Sequence, residues 1–181
     1  MALPEINSWQ YYDDKLQCIK AWYTKPCLDE LEKIDFSDKV VFEFGCGHST
    51  IWWAKQAKQV YSVENNKDWY NDVNNELQRL GLTNAEIFFN DTKFYPQSIG
   101  LVSVWEEVQF DVVVIDGIYR EECVPYALRY LKDGGLLIYD NWMQNSVECQ
   151  SEKTQQLLLS YKHTIHKQEN HIDWQTLMLY K

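Results

Sequence analysis

Acids at the ends of apolar runs, set beside a glycine turn, carry the chemistry available to this chain. Val40-Val41-Phe42-Glu43-Phe44-Gly45-Cys46-Gly47-His48-Ser49-Thr50 joins an apolar strand to a Gly-x-Gly turn and a helix start, with Glu43 just ahead of the first glycine. Glycines at 45 and 47 let the backbone turn tightly and approach a ligand closely. Ser49 or Thr50 can cap the following helix and leave its N–H groups facing that ligand. A second apolar run, Gln59 to Glu64, also closes on an acid. A carboxylate at the tip of a second strand can accept hydrogen bonds from both hydroxyls of a ribose, and Asn65 beside it is assigned to the same site. The pattern points to a nucleotide-type cofactor.

The elements that position these residues alternate between strand-like and helical patterns, as expected of a parallel sheet with helices on both faces. Strands are expected at Lys39 to Phe44, Gln59 to Glu64, Ala85 to Phe89, Phe110 to Ile115 and Leu136 to Tyr139. Two more, Tyr161 to Lys167 and Trp174 to Tyr180, are separated by a short connection that favours antiparallel pairing. Helices are expected at Ser49 to Ala57, Lys67 to Leu80, Glu121 to Lys132 and Glu148 to Ser160, with a loop and short helix between Thr92 and Glu107. Pro125 is tolerable only in a first turn. Asp133-Gly134-Gly135 reads as a turn. Residues 1–35 read as an aromatic-rich helical cap broken near Pro26, on a single domain spanning 1–181. Ligands of open α/β sheets bind beyond the carboxyl ends of the strands. Glu43, Glu64, Asp91, Asp116, Asp140 and Asn141 all fall at that edge.

The motif apolar-apolar-Glu43-x-Gly45-x-Gly47 resembles the first motif of the class I S-adenosylmethionine-dependent methyltransferases. The resemblance extends from Val40 to Lys181 and implies a Rossmann-like seven-stranded, mostly parallel sheet with one antiparallel strand. It implies S-adenosylmethionine as cofactor, contacted by Glu43, Gly45, Cys46, Gly47, Ser49, Thr50, Glu64, Asn65, Asp91 and Asp116. A dinucleotide fingerprint would carry a third glycine where Thr50 stands, and Glu43 would be poorly placed beside a pyrophosphate. Asp116-Gly117 and Asp140-Asn141 further resemble the small O-methyltransferases of the catechol and caffeoyl-CoA type. In those enzymes the matching positions hold a divalent cation, so the resemblance implies Asp116, Asp140 and Asn141 as ligands of Mg²⁺ or Ca²⁺. Beside it stands a metal-free reading in which Asp116 acts alone and Asp140-Asn141 is a turn that caps the following segment. The chain departs from that group where Tyr119 replaces its lysine base, which makes Asp116 the first candidate for general base and Asp140 the second. Arg120 is then a candidate for binding an anionic part of the substrate.

Composition narrows the partners. With 17 Lys and Arg against 27 Asp and Glu, the net charge is −10, which disfavours nucleic acid and leaves a small-molecule acceptor. Five cysteines without a C-x-x-C pair read as buried thiols of a reduced, cytoplasmic protein. No apolar run is long enough to cross a bilayer. His163 and His166 fall on opposite faces of a predicted strand, which argues against a shared metal. The eight tryptophans and twelve tyrosines supply core, with Trp9, Tyr11 and Tyr12 able to form a lid, a packed edge or a homodimer contact. Oxygen methylation of a small molecule is the expected activity. Alternatives are a non-catalytic cofactor-binding protein of the same fold and an NAD-linked oxidoreductase.

Overall fold

A computed structural model describes residues 11–142, 150–171 and 173–181. The first elements among the described residues are a small antiparallel hairpin, β1 (Tyr12–Asp13) and β2 (Cys18–Ile19), and then α1 (Lys25–Leu31). The alternating core then runs β3 (Val40–Phe44), α2 (His48–Ala54), β4 (Gln59–Glu64), α3 (Lys67–Arg79), β5 (Ala85–Phe89), a 3-10 turn (Tyr95–Gln97), α4 (Ser98–Trp105), β6 (Phe110–Ile115), α5 (Arg120–Tyr130) and β7 (Leu131–Asp140). It closes with α6 (Glu152–Leu159), β8 (Lys162–Lys167) and β9 (Gln175–Tyr180).

Seven strands form one sheet in the order β5-β4-β3-β6-β7-β9-β8, with β9 antiparallel to both of its neighbours. Side-chain alternation divides the core. Val41, Val60, Val112, Val114 and Ile138 face Trp52, Trp53, Val73 and Leu77 of α2 and α3. Phe42, Val63, Val113, Ile115 and Leu137 face Ile99, Val102, Val124 and Leu158 of α4, α5 and α6. Near-continuous apolar strands are what a sheet covered on both faces requires. Trp52 and Trp53 are fully buried, each burial contributing on the order of 3 kcal/mol. Their indole N–H groups donate to Asp13 and Tyr23 and so fasten the N-terminal segment onto α2.

Four local expectations are corrected. The stretch 11–24 is a hairpin and loop, and Pro26 lies in the first turn of α1, where its missing N–H breaks no helical bond. Pro125 lies inside α5 and not in its first turn, so Glu121 O loses the amide that would normally reach it. Lys132 to Gly135 is a bulge within β7: Phe110 pairs with Leu131, but Val112 pairs with Leu136. Gly134 there takes φ +77, and its amide donates to Lys181 O. The helix expected from Glu148 begins at Glu152, capped by Ser151, whose hydroxyl accepts from Thr154 N; Glu148 and Cys149 lie outside the described residues.

The strand order reverses between β3 and β6, and the two chain tips that leave those strands meet there. Gly45 N donates to Val63 O and Asp116 N donates to Phe44 O, both at 2.9 Å. Gly45 takes φ +100, and a Cβ on it would sit 3.1 Å from Gly117 N. A Cβ on Gly117 would overlap the Tyr95 hydroxyl and lie 2.9 Å from Gly45 N. Neither glycine has room for a side chain, so Gly117→Ala should cost about 2–3 kcal/mol in a urea titration. Adding Tyr95→Phe should recover part of it, because the overlapping hydroxyl goes; an unchanged midpoint for the single variant would contradict the packing.

Candidate functional site

The crevice at this reversal is the place where open α/β sheets bind ligands. It is an open cleft of about 280 Å³ lined by Gly45, Cys46, Ser49, Glu64, Asn65, Trp69, Asp116, Gly117 and Ile118. A larger hollow of about 750 Å³ lies at the amino ends of the strands, beside Lys15, Lys33 and Asp35. It is remote from the acid-tipped edge.

Glu64 ends β4 and reaches across to the glycine turn. Its Oε2 accepts from Cys46 N at 3.1 Å, and its Oε1 accepts from Asn65 N at 2.9 Å and Asn66 N at 2.7 Å. Three amides thus hold the carboxylate in one orientation while Oε2 keeps capacity for another donor. Asn66 caps α3 through Asp68 N and Trp69 N, which sets Trp69 over the turn, where its indole N–H donates to Cys46 O. A Cβ on Gly47 would meet the Trp69 ring at 3.5 Å.

Glu43 is placed differently from the sequence expectation. It shares a strand face with Val41, and so lies between the sheet and α2, 1% exposed, outside the cleft lining. Its Oε2 accepts from Thr50 Oγ1 at 2.7 Å and Ser62 Oγ at 2.9 Å, and Thr50 Oγ1 accepts in turn from Gly47 N at 3.0 Å. Glu43 therefore braces the glycine turn from beneath. The helix starts at His48, one residue earlier than expected, with Thr50 in its first turn.

Among the other expected cofactor contacts, Gly45, Cys46, Ser49, Glu64, Asn65 and Asp116 line the cleft, whereas Gly47, Thr50 and exposed Asp91 do not. Burial and the neighbouring Glu64 carboxylate push the Cys46 thiol far up, which leaves it inert as a nucleophile. Trp69, Gly117 and Ile118 also line the cleft and are not among the residues expected from sequence. The Gly after Asp116 was a legible signal; the reach of Trp69 across to the turn has no local signature.

The tips of β6 and β7 are joined by Arg120, the first residue of α5, which is 7% exposed. Its Nε donates to Gly117 O, Nη1 to Asp140 O and Asn141 Oδ1, and Nη2 to Asp116 O and Oδ1. All five N–H donors are engaged within the chain, which removes Arg120 from binding an anionic substrate group. Tyr119 and Asn141, on either side of this network, both adopt left-handed backbone, at φ 51 and 53. Asp140 is 3% exposed and accepts from Thr176 Oγ1 at 2.6 Å, a pairing set by the Asp140–Thr176 register of β7 and β9.

The expected Mg²⁺ or Ca²⁺ site is not formed. Asp116 and Asn141 face the guanidinium, and Asp140 faces Thr176. Among the described residues, no group of three or more His, Cys, Asp and Glu side chains is arranged to hold a metal. His163 is exposed and His166 is buried 3.2 Å from Glu30, on separate faces as expected. Cys18, Cys27, Cys46 and Cys123 are buried thiols that form no disulfide among the described residues.

No family model matches the chain. A probable cobalt-precorrin-6B C(15)-methyltransferase (decarboxylating) of Methanococcus maripaludis strain C6 is 33% identical over 117 residues, which cover 64% of this chain and 60% of that protein. The chain spans about 60% of the length of the curated relatives it matches. Among solved structures, the O-methyltransferase TomG of Streptomyces achromogenes, in complex with S-adenosylmethionine, superposes with a TM-score of 0.67 at 16% identity, covering 86% of this chain and 78% of that one. A Bacillus cereus O-methyltransferase in complex with S-adenosylhomocysteine gives 0.65 at 17%, covering 86% and 79%. The fold is that of the class I S-adenosylmethionine-dependent methyltransferases. Precorrin-8w decarboxylase of Methanobacterium thermoautotrophicum shares this methyltransferase fold, with a TM-score of 0.61 at 18% identity, covering 86% of this chain and 88% of that one. No helix among the described residues is long and apolar enough to cross a membrane.

Burial pushes the Glu43 carboxyl up to about 7, against the opposing effect of the hydroxyls that donate to it. An acid whose folded pKa exceeds its unfolded value of about 4.5 takes up a proton on folding. Its contribution is therefore fully favourable below pH 4.5 and is lost as pH rises toward 7. Glu43→Gln keeps an oxygen that Thr50 and Ser62 can both donate to, but removes the titration. The variant should gain on the order of 3 kcal/mol over wild type at high pH, as an upper bound, and little at pH 4. Thermal melts across that range check it; an offset independent of pH would contradict the buried-acid assignment.

Proposed function

We propose that the chain is an S-adenosylmethionine-dependent methyltransferase acting on a small-molecule acceptor. The observation that carries this reading is the Glu64 carboxylate, aligned by three amides beside a glycine turn at the sheet's reversal point. When bound, S-adenosylmethionine supplies a methyl group already activated on a sulfonium. The acids fit such a cation: Glu64 and Asp116 line the cleft, and Glu43 lies below it. Glu64 Oε2 is available to accept from a ribose hydroxyl, Trp69 and Ile118 provide apolar walls, and the glycine turn admits the ligand's backbone-like end.

Displacement at an activated methyl needs little covalent help from protein, so the chain's work is alignment and proton removal. Asp116 is the better base. Its side chain is 30% exposed and lines the cleft, whereas Asp140 is enclosed by Thr176 and the β7 tip. Burial raises the Asp116 pKa and Arg120 partly opposes this, which brings the carboxylate nearer to the basicity a general base requires.

An oxygen acceptor follows from the resemblance of Asp116-Gly117 and Asp140-Asn141 to small O-methyltransferases. A carbon acceptor is the second reading, favoured by the curated relatives, which are named for methylation at C(15) of a cobalt-precorrin.

Calorimetric titration with S-adenosylhomocysteine should give one site per chain. Glu64→Ala should weaken it at least about tenfold, because a charged hydrogen-bond acceptor is lost. No heat with this ligand, together with protection against melting by NADH, would overturn the reading in favour of an oxidoreductase.

A further inference from the structure

Five oxygens converge on the Arg120 guanidinium: Asp116 O and Oδ1, Gly117 O, Asp140 O and Asn141 Oδ1, at 2.6 to 3.0 Å. A carboxylate, an Asn amide oxygen and backbone carbonyls are the donor set that hard cations such as Ca²⁺ take. Here the set is satisfied from within the chain. The Arg120 side chain is 9% exposed, and its guanidinium ties the two strand tips together.

We propose that Arg120 is a permanent resident cation that fills the oxygen-lined space between the β6 and β7 tips and denies that space to a divalent metal. A fixed guanidinium suits this position because its planar fork can satisfy several oxygens in different directions at once, and it stays charged at every accessible pH. It arrives with α5, so its position is set by the chain and not by metal supply. Its Nη2, which donates to Asp116 Oδ1 at 3.0 Å, orients the carboxylate that faces the cleft. Arg120 is thus a positioning residue. On the methyl-transfer reading above, the acceptor is placed by protein groups, and no chelating pair of oxygens is required of it.

The test uses metal alone on the whole chain. Titrating wild-type protein into Mn²⁺ should leave the free-ion electron paramagnetic resonance signal undiminished, and Tm should be the same in Mg²⁺, Ca²⁺ and EDTA. Arg120→Ala leaves the oxygens facing an empty space, and Tm should fall by roughly 10 °C. Ca²⁺ should restore at least half of that loss in the variant while doing nothing for wild type. Stoichiometric Mn²⁺ uptake by wild type would overturn the proposal, as would an Arg120→Ala protein whose melting is identical in Ca²⁺ and EDTA. Should the alanine variant not fold, Arg120→Gln, which can still donate to two oxygens, carries the same comparison. The S-adenosylhomocysteine titration of wild type reads the cofactor assignment separately, so failure of one does not imitate failure of the other.

Discussion

Two backbone turns meeting where only glycine fits is the constraint on which this site depends. Gly45 and Gly117 leave adjacent parallel strands at the same level, and each occupies the volume that the other's Cβ would need. This contact places the Asp116 tip next to the Gly45-Cys46-Gly47 turn. The amide of Cys46 then faces Glu64, which the register of β3 and β4 has brought to the same height. Sheet topology creates the crevice, and the close glycine contact determines which polar groups surround it.

Acids dominate that edge, and each is handled by a different device. Glu64 is held by amides, Glu43 by hydroxyls beneath the turn, Asp140 by a cross-strand threonine, and Asp116 by the Arg120 guanidinium. Burying an acid is costly without hydrogen bonds or a counter-charge. The division leaves Glu64 and Asp116 open to the cleft and withdraws Glu43 and Asp140 into supporting roles. A site with this balance favours a positively charged ligand.

The fold was largely legible because strands covered on both faces appear as apolar runs closed by turn residues. Gln59–Glu64, Ala85–Phe89 and Phe110–Ile115 coincide with the sequence reading residue for residue. The bulge at Lys132–Gly135 was hidden, since Asp-Gly-Gly looks like a turn unless its pairing with Lys181 is known. The places of Pro26 and Pro125 are not legible, because a proline's effect depends on its position within the helix and that position is set by packing. In the site, Glu64 and Asp116 were readable as strand-end acids. The motif spacing suggests Glu43 as a ligand contact, but Glu43 is one residue short of the strand end, on the face turned toward α2. The enclosure of Arg120, a candidate for an anionic substrate group by sequence, is not legible, because five partners drawn from two strand tips leave no trace in local sequence.

The proposed function stands on whether the crevice beside Gly45 and Gly117 takes an adenosyl ligand. The most direct measurement is an amide chemical-shift map of isotopically labelled protein during titration with S-adenosylhomocysteine. The largest changes should fall at Cys46, Asn65, Asn66 and Gly117, saturating together. Changes confined to the opposite end of the sheet, or none at any ligand concentration, would contradict the proposed function.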